Sequence, residues 1–242
     1  KPVIPLEQFR GQGEAGAYGE FMIETDWHLG RLLSLLDREN LAENTIVIYT
    51  SDNGPEKTWK QRIQKFGHHS SGPYREGKRS IYEGGHRVPF FLRWPARVRP
   101  GSRWTEPICQ TDLLATFAAI LDKPLPVRSG EDSISFHRAW TGPKSTPPPR
   151  PPVIHHAMNG RFAIRSGKWK LVMEGTKKAE KRELYDLHLD PGEKSNVLAN
   201  HGEVEKTLLA RLSRIVTSGA TRDGAASKND TPLWADLVWL PR

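Results

Sequence analysis

Apolar positions along the chain fall into short blocks separated by polar, glycine- and proline-rich stretches. Met22, Leu29, Leu33 and Leu36 recur at helical spacing, and Ile23 and Leu32 widen the stripe. That pattern predicts an amphipathic helix over Tyr18–Asn40, with Asn40 placed to end it. Residues 1–17, rich in proline and glycine, read as an extended leading segment. After a short turn, Thr45–Thr50 is apolar and β-branched, the pattern of a strand covered on both faces. Helix, turn and strand in that order predict an α/β sheet with parallel strands. Residues 51–80 are polar and rich in Gly, His, Lys and Ser, and read as a long functional or disordered loop. Val88–Trp94 reads as a second strand and Leu113–Leu121 as a helix, capped by Thr111 or Asp112 and ended at Lys123-Pro124.

The pattern changes after Thr141. Six prolines lie between Thr141 and Pro152 and predict a semi-rigid linker. Beyond it, Val153–His156, Arg161–Arg165, Lys168–Met173 and Glu183–Leu187 read as short strands. Asn159-Gly160 and Ser166-Gly167 are turn signals between them, so an antiparallel meander is expected. Val204, Leu208, Leu212 and Ile215 predict a helix over about 203–217. Residues 219–230 read as disordered, and Trp234, Leu237, Val238 and Trp239 as a tail that docks back on the body. The expected division is an α/β part over 1–140, the linker 141–152, an antiparallel subdomain with its helix over 153–218, and a tail over 219–242.

Composition adds limits. The chain has 242 residues, enough for one sizeable core with a small appended module. No run approaches the roughly 18 apolar residues that cross a bilayer, and the first residues lack the apolar stretch of a leader peptide. The net charge of +8 favours anionic partners such as sulfated or phosphorylated sugars. No zinc-finger spacing or RNA-binding motif is present, so nucleic acid is not an expected partner. Cys109 is the one cysteine, which excludes an intrachain disulfide, and it reads as a small buried residue.

Candidate chemistry starts at Ser51-Asp52-Asn53-Gly54, directly after the first strand. Ligands of open α/β sheets bind beyond the carboxyl ends of strands. An Asp carboxylate beside an Asn amide oxygen offers two hard donors, suited to Ca²⁺ or Mg²⁺. A plain turn, with both side chains bonding local backbone and Gly54 at positive φ, explains the same four letters. Lys78 follows Gly77 in a cation-rich loop, placed to neutralise a tetrahedral anion or to sit in solvent. His68 and His69 read equally as acid, ligand or loop residues.

Taken together, Thr50-Ser51-Asp52-Asn53-Gly54, Gly77-Lys78 and Ile81-Tyr82-Glu83-Gly84-Gly85-His86-Arg87-Val88-Pro89 resemble the formylglycine-dependent sulfatases of the alkaline-phosphatase-like superfamily. Thr111-Asp112-Leu113-Leu114-Ala115-Thr116, Glu183-Leu184-Tyr185-Asp186-Leu187 and Asp190-Pro191-Gly192-Glu193 are similar to that family too. The resemblance covers roughly residues 1–200 and assigns the chain to the C-terminal half. It implies that Asp52 and Asn53 are metal ligands for a single Ca²⁺. It implies that Lys78 binds the sulfate and stabilises charge developing in the transition state, a catalytic role. His69 is a substrate-binding candidate, and Glu83-Gly84-Gly85 with Arg87 are scaffold for the loop.

The family's nucleophile is a formylglycine made from Cys or Ser in a Cys/Ser-x-Pro/Ala-x-Arg context. Cys109, followed by Gln110-Thr111-Asp112-Leu113, does not match. The resemblance therefore implies that the nucleophile and the other metal ligands lie in an N-terminal half, and that this fragment alone is inactive. The expected partners are that half and a sulfated small molecule or polysaccharide. The expected location, by analogy, is periplasmic or secreted. Two alternatives stay open: a phosphatase or phosphodiesterase of the same superfamily, and a silent fragment serving as a binding module.

Overall fold

The computed structural model describes residues 3–141, 150–176, 179–225 and 237–240. They form two compact units, one of Lys1–Lys78 with Tyr82–Gly101, the other of Arg79–Ile81 with Ser102–Arg242.

In the first unit, the predicted helix forms as α1 (Ala17–Arg38). Asn40 takes a left-handed conformation (φ 57°) just beyond it, as a helix-ending Asn can. Glu20 and Glu24 lie one turn apart on the same face. Glu20 Oε1 accepts from Gly11 N (2.9 Å) and Glu24 Oε2 from Leu6 N (2.9 Å), so the two carboxylates hold the leading segment along the helix. Phe9 is buried there, edge-on to Trp27 at 5.5 Å. Residues 1–17 are thus not wholly extended: Glu7–Phe9 make a 3-10 turn.

Strand β1 (Val47–Thr50) pairs with β2 (Phe90–Arg93) from Val47 opposite Arg93 to Thr50 opposite Phe90. The ladder is antiparallel, which corrects the parallel expectation for these two strands. Residues 51–89 bring the chain back in the opposite direction, and a β-branched run carries no information about its partner's direction. Both strands are only partly covered among the described residues, and Phe91 remains 64% exposed. The intervening segment is not all loop. It holds α2 (Trp59–Phe66) and the short α3 (Glu83–His86). Gly67, left-handed at φ 65°, ends α2, and its N–H and that of His68 close on the last turn. The buried residue of α2 is an arginine, Arg62, while Trp59, Ile63 and Phe66 stand at helical spacing, a short signal that the loop reading passes over.

The second unit carries α4 (Asp112–Ile120), the short α5 (Arg138–Thr141) and a four-stranded antiparallel meander. Its strands are β3 (Val153–His156), β4 (Phe162–Ser166), β5 (Trp169–Thr176) and β6 (Ala179–Asp186), in that order. Helix α6 (Gly202–Ser218) packs on this sheet. Leu208 and Leu212 of α6 meet Ile164, Leu171, Met173 and Leu184 of the sheet, and Trp239 joins the same cluster. Leu237 and Leu240 pack beside it, so the described part of the tail docks as expected, while Trp234 lies outside the described residues. Residues 219–225 are held in place, against the expectation of disorder. Thr221 Oγ1 donates to Asp132 Oδ1 (2.7 Å), and Arg222 donates to the carbonyls of Pro126 (3.0 Å), Ser129 (2.8 Å) and Gly130 (3.2 Å). Residues 226–230 and most of the proline-rich linker, 142–149, lie outside the described residues.

Asp112 is more than a helix cap. Fully buried, it accepts from Cys109 N (2.8 Å), from Ile134 N (2.9 Å) and from both Nε (3.2 Å) and Nη2 (2.7 Å) of Arg150. One carboxylate thereby ties the start of α4 to two segments distant in sequence, a charge-assisted arrangement of the stronger kind. Cys109 is half-buried and free.

Asp186, at the end of β6, gives a pH signature. Burial alone would raise its carboxyl. The Lys168 ammonium (2.6 Å) and the N–H groups of His188 and Leu189 outweigh that and hold it below the ordinary carboxylate range. A lowered folded-state pKa gives stability that is present above the unfolded value of about 3.9 and lost as pH falls through the folded value. Lys168→Met is expected to lower stability at neutral pH by about 1 kcal/mol or less, since Lys168 is half exposed. It should also flatten the acid-side loss, measured by denaturant unfolding from pH 7 to 3.

Candidate functional site

The end of β1 delivers Ser51-Asp52-Asn53-Gly54 into a tight turn. Ser51 Oγ donates to Asn53 O (3.0 Å), Asn53 N donates to Asp52 Oδ1 (3.0 Å), and Asn53 Nδ2 donates to Gly54 O (3.0 Å). The local bonds of the turn reading are therefore present, but they use one side of each group only. Asp52 Oδ2 and Asn53 Oδ1 make no hydrogen bond with any described residue. The bond from Nδ2 fixes which side of the Asn53 amide carries the oxygen. Two adjacent hard oxygens remain for a cation, a donor set that suits Ca²⁺ or Mg²⁺.

Gly54 does not adopt a positive φ. It is needed for close approach instead. Its N–H donates to Gly85 O (2.8 Å), and a Cβ there would lie 1.8 Å from Gly84 O. The same device recurs twice. A Cβ on Gly84 would lie 2.3 Å from Glu76 O, and one on Gly77 would lie 2.6 Å from Pro55 O. Backbone bonds run between the same segments, from Gly84 N to Arg75 O (2.9 Å) and from Lys78 N to Pro55 O (2.9 Å). Three backbone segments, at 54–55, 75–78 and 84–85, thus stack without side chains between them. This stacking draws Lys78 to the Asp52–Gly54 turn although they are 26 positions apart in sequence. Gly54→Ala is expected to unseat the turn from α3, because the clash is with backbone and cannot be relieved by a rotamer change. The measurable result is a lower unfolding midpoint together with weakened metal uptake.

Side chains brace the stack. Glu83 is fully buried, with His86 Nε2 at 3.2 Å from its Oε1 and Arg87 Nη1 at 3.5 Å from its Oε2. The Arg87 guanidinium lies over the Tyr74 ring (4.4 Å) and that of Arg75 over the Tyr82 ring (3.5 Å). Lys78 itself is half-buried, and its ammonium makes no ion pair or hydrogen bond with any described residue. His69 is exposed on a turn in which its carbonyl accepts from Gly72 N (2.8 Å). His68, half-buried, contacts Ser70 Oγ through Nδ1 at 3.1 Å. The geometry joins Asp52, Asn53 and Lys78 and leaves His69 on the adjoining turn.

The two units with these elements resemble known proteins over most of their length. Residues 6–123, which contain the whole Asp52–Lys78 arrangement, match the family described as Sulfatase. The chain belongs to the sulfatase family. It is 36% identical over 232 residues to the N-acetylgalactosamine-6-O-sulfatase of Bacteroides thetaiotaomicron, covering 89% of this chain and 45% of that protein. It is 31% identical over 247 residues to human arylsulfatase A, covering 91% of this chain and 47% of that protein. Among solved structures, a B. thetaiotaomicron protein described in connection with metabolism of multiple glycosaminoglycans superposes with a TM-score of 0.79 at 34% identity, over 89% of this chain and 48% of that one. This sulfatase chain spans about half the length of the relatives it matches.

Two serines also stand in the family's nucleophile context. Ser71-Gly72-Pro73-Tyr74-Arg75 and Ser218-Gly219-Ala220-Thr221-Arg222 both carry the Ser-x-Pro/Ala-x-Arg spacing. In this sulfatase chain each is engaged in folding. Ser71 Oγ donates to Glu76 O (2.7 Å), and Arg75 stacks on Tyr82. Ser218 Oγ donates to Ile215 O (3.2 Å) and Ala220 O (3.1 Å), while Arg222 binds three carbonyls. Among the described residues, no helix is long and apolar enough to cross a membrane.

Proposed function

We propose that the protein containing this chain hydrolyses the sulfate ester of a sulfated carbohydrate. The observation that supports this reading is the backbone stack that joins Lys78, whose ammonium is uncommitted among the described residues, to a turn with two uncommitted hard oxygens. Asp52 and Asn53 hold a Ca²⁺ through those oxygens. When bound, the cation supplies positive charge that polarises a sulfate oxygen. Lys78 binds a second sulfate oxygen and stabilises the charge that grows on it as the ester bond breaks, where a fixed donor is worth most. His69, exposed on the adjoining turn, contacts the alcohol part of the substrate. The nucleophile, a formylglycine, comes from the other half of the protein's length, and the protein is exported. The naming of a relative at 36% identity as an N-acetylgalactosamine-6-O-sulfatase supports a 6-sulfated N-acetylhexosamine as substrate.

The test is metal analysis and turnover on the full-length protein. The expected result is one calcium per chain, hydrolysis of 4-nitrophenyl sulfate and of N-acetylgalactosamine 6-sulfate, and loss of both on chelation. Asp52→Ala should lose the calcium as well as the activity. Two zinc ions per chain, no calcium and a preference for 4-nitrophenyl phosphate would replace this reading by a phosphatase.

A further inference from the structure

Arg62 is an unusual residue to find inside a helix face. Its side chain is buried (8% exposed), and no carboxylate contacts it among the described residues. Its partners are neutral. Nε donates to Ser70 Oγ (2.8 Å), Nη1 donates to Thr58 Oγ1 (2.9 Å), and the guanidinium lies 3.9 Å from the Tyr18 ring centre. Burial pushes its pKa below the ordinary arginine value, partly offset by Tyr18, yet an arginine stays charged in proteins. A buried cation answered only by hydroxyls and a ring is a poor stability device, so its position calls for another reason.

The geometry supplies one. A guanidinium can only donate, so the Ser70 hydroxyl accepts from Arg62. The one other described partner of that hydroxyl is His68 Nδ1, at 3.1 Å. The arrangement that satisfies all three groups sends the Ser70 proton to Nδ1, which leaves the ring hydrogen on Nε2. Tyr18 flanks both ends of this relay, with its ring 5.8 Å from that of His68. The relay also pins the turn at 67–71, which begins at the left-handed Gly67 and leads on to Lys78.

Building on the sulfatase reading, we propose that Arg62 is a positioning residue: through Ser70 it fixes His68 in the Nε2–H tautomer, so that the turn leading to Lys78 offers one oriented N–H donor to the sugar of a sulfated carbohydrate. His68 thereby contributes to specificity, and Arg62 acts only through it. The donor suits a ring or exocyclic hydroxyl oxygen of an N-acetylhexosamine.

The experiment uses full-length protein labelled with ¹⁵N-histidine, together with kinetics on N-acetylgalactosamine 6-sulfate. Wild type should show His68 with the hydrogen on Nε2. Ser70→Ala should release the tautomer and raise KM roughly tenfold, the worth of one hydrogen bond, with kcat little changed. His68→Ala should raise KM to the same degree, and Ser70→Thr, which keeps the hydroxyl, should restore wild-type behaviour in both readouts. His68→Ala leaves the Arg62–Ser70 bond in place, whereas Ser70→Ala also removes the acceptor of Arg62 Nε, so thermal unfolding of each variant separates the relay from folding. A His68 tautomer unchanged in Ser70→Ala, or an unchanged KM in Ser70→Ala and His68→Ala, overturns the proposal. Wild-type protein that hydrolyses no sulfate ester would overturn the functional reading and the substrate part of this proposal, while the tautomer comparison still decides whether the relay exists.

Discussion

Lys78→Ala is expected to lower kcat/KM of the full-length protein for sulfate esters by about 10² to 10³, the usual effect of removing one preorganised donor from a developing oxyanion. The fold should survive. The lysine ammonium bonds no described residue, and what seats the loop is the Lys78 backbone N–H on Pro55 O, which alanine keeps. Calcium content should also be unchanged, because the ammonium is not a ligand. Lys78→Arg should recover little, since a planar fork does not replace a point charge in a site shaped for an ammonium. Kinetics, thermal unfolding and metal content measured on the same preparations check this. A Lys78→Ala protein that folds, holds calcium and keeps activity within tenfold of wild type would remove Lys78 from the sulfate site.

The contrast with Gly54 shows why one part of this site can be read in the sequence and another cannot. Asp52, Asn53 and Lys78 stand out as candidates because their chemistry is in their side chains, and because they resemble a family pattern in order and spacing. The role of Gly54 is to have no side chain, and the letter G fits a turn as well as a backbone stack. Only the 1.8 Å separation between its missing Cβ and Gly84 O decides between them.

The fold divides along a similar line. The meander and α6 are legible because their interactions are local. Gly160 (φ 81°) and Gly167 (φ 55°) set turns between neighbouring strands, and Leu208, Leu212 and Ile215 repeat at helical spacing. The direction of the β1–β2 ladder is not legible, because it depends on how residues 51–89 return. Helix α2 is legible in part, since Trp59, Ile63 and Phe66 stand at helical spacing and Gly67 follows as a stop signal, but the polar stretch around it reads as loop. The order of residues 219–225 is hidden for a different reason. Its anchors, Asp132 and the carbonyls of 126–130, lie about 90 positions away in sequence.

Lys170→Met should be among the most destabilising single substitutions in the second unit. Lys170, on β5, and Glu193 are both fully buried, with Nζ 2.8 Å from Oε1. Glu193 ends the Asp190-Pro191-Gly192-Glu193 turn in a left-handed conformation (φ 52°), which non-glycine residues rarely adopt. The turn is fixed from the other side by Asp190 Oδ2, which accepts from Lys194 N (2.7 Å) and Ser195 N (2.8 Å). Removing the lysine takes a buried counter-charge from a buried carboxylate, a change that costs about 3–5 kcal/mol. Removing both charges should cost less, because the desolvation penalties of both groups disappear along with their mutual attraction. Lys170→Met/Glu193→Met is therefore expected to be more stable than Lys170→Met alone. The coupling between the sites should be on the order of 2–3 kcal/mol, read from a double-mutant cycle. Hydrogen exchange in peptides covering β5 and β6 is the suitable measurement, because it reports the opening free energy of this sheet rather than of the whole protein. Additive single-mutant losses would show that the pair is not coupled and that Lys170 acts through its other contacts. A large coupling would make this pair the lock that holds the strained turn against the sheet. Alternation along β5 puts Lys170 on the face opposite Leu171 and Met173, where a lysine reads as a solvated residue, so the sequence pattern gives no hint that it is fully buried.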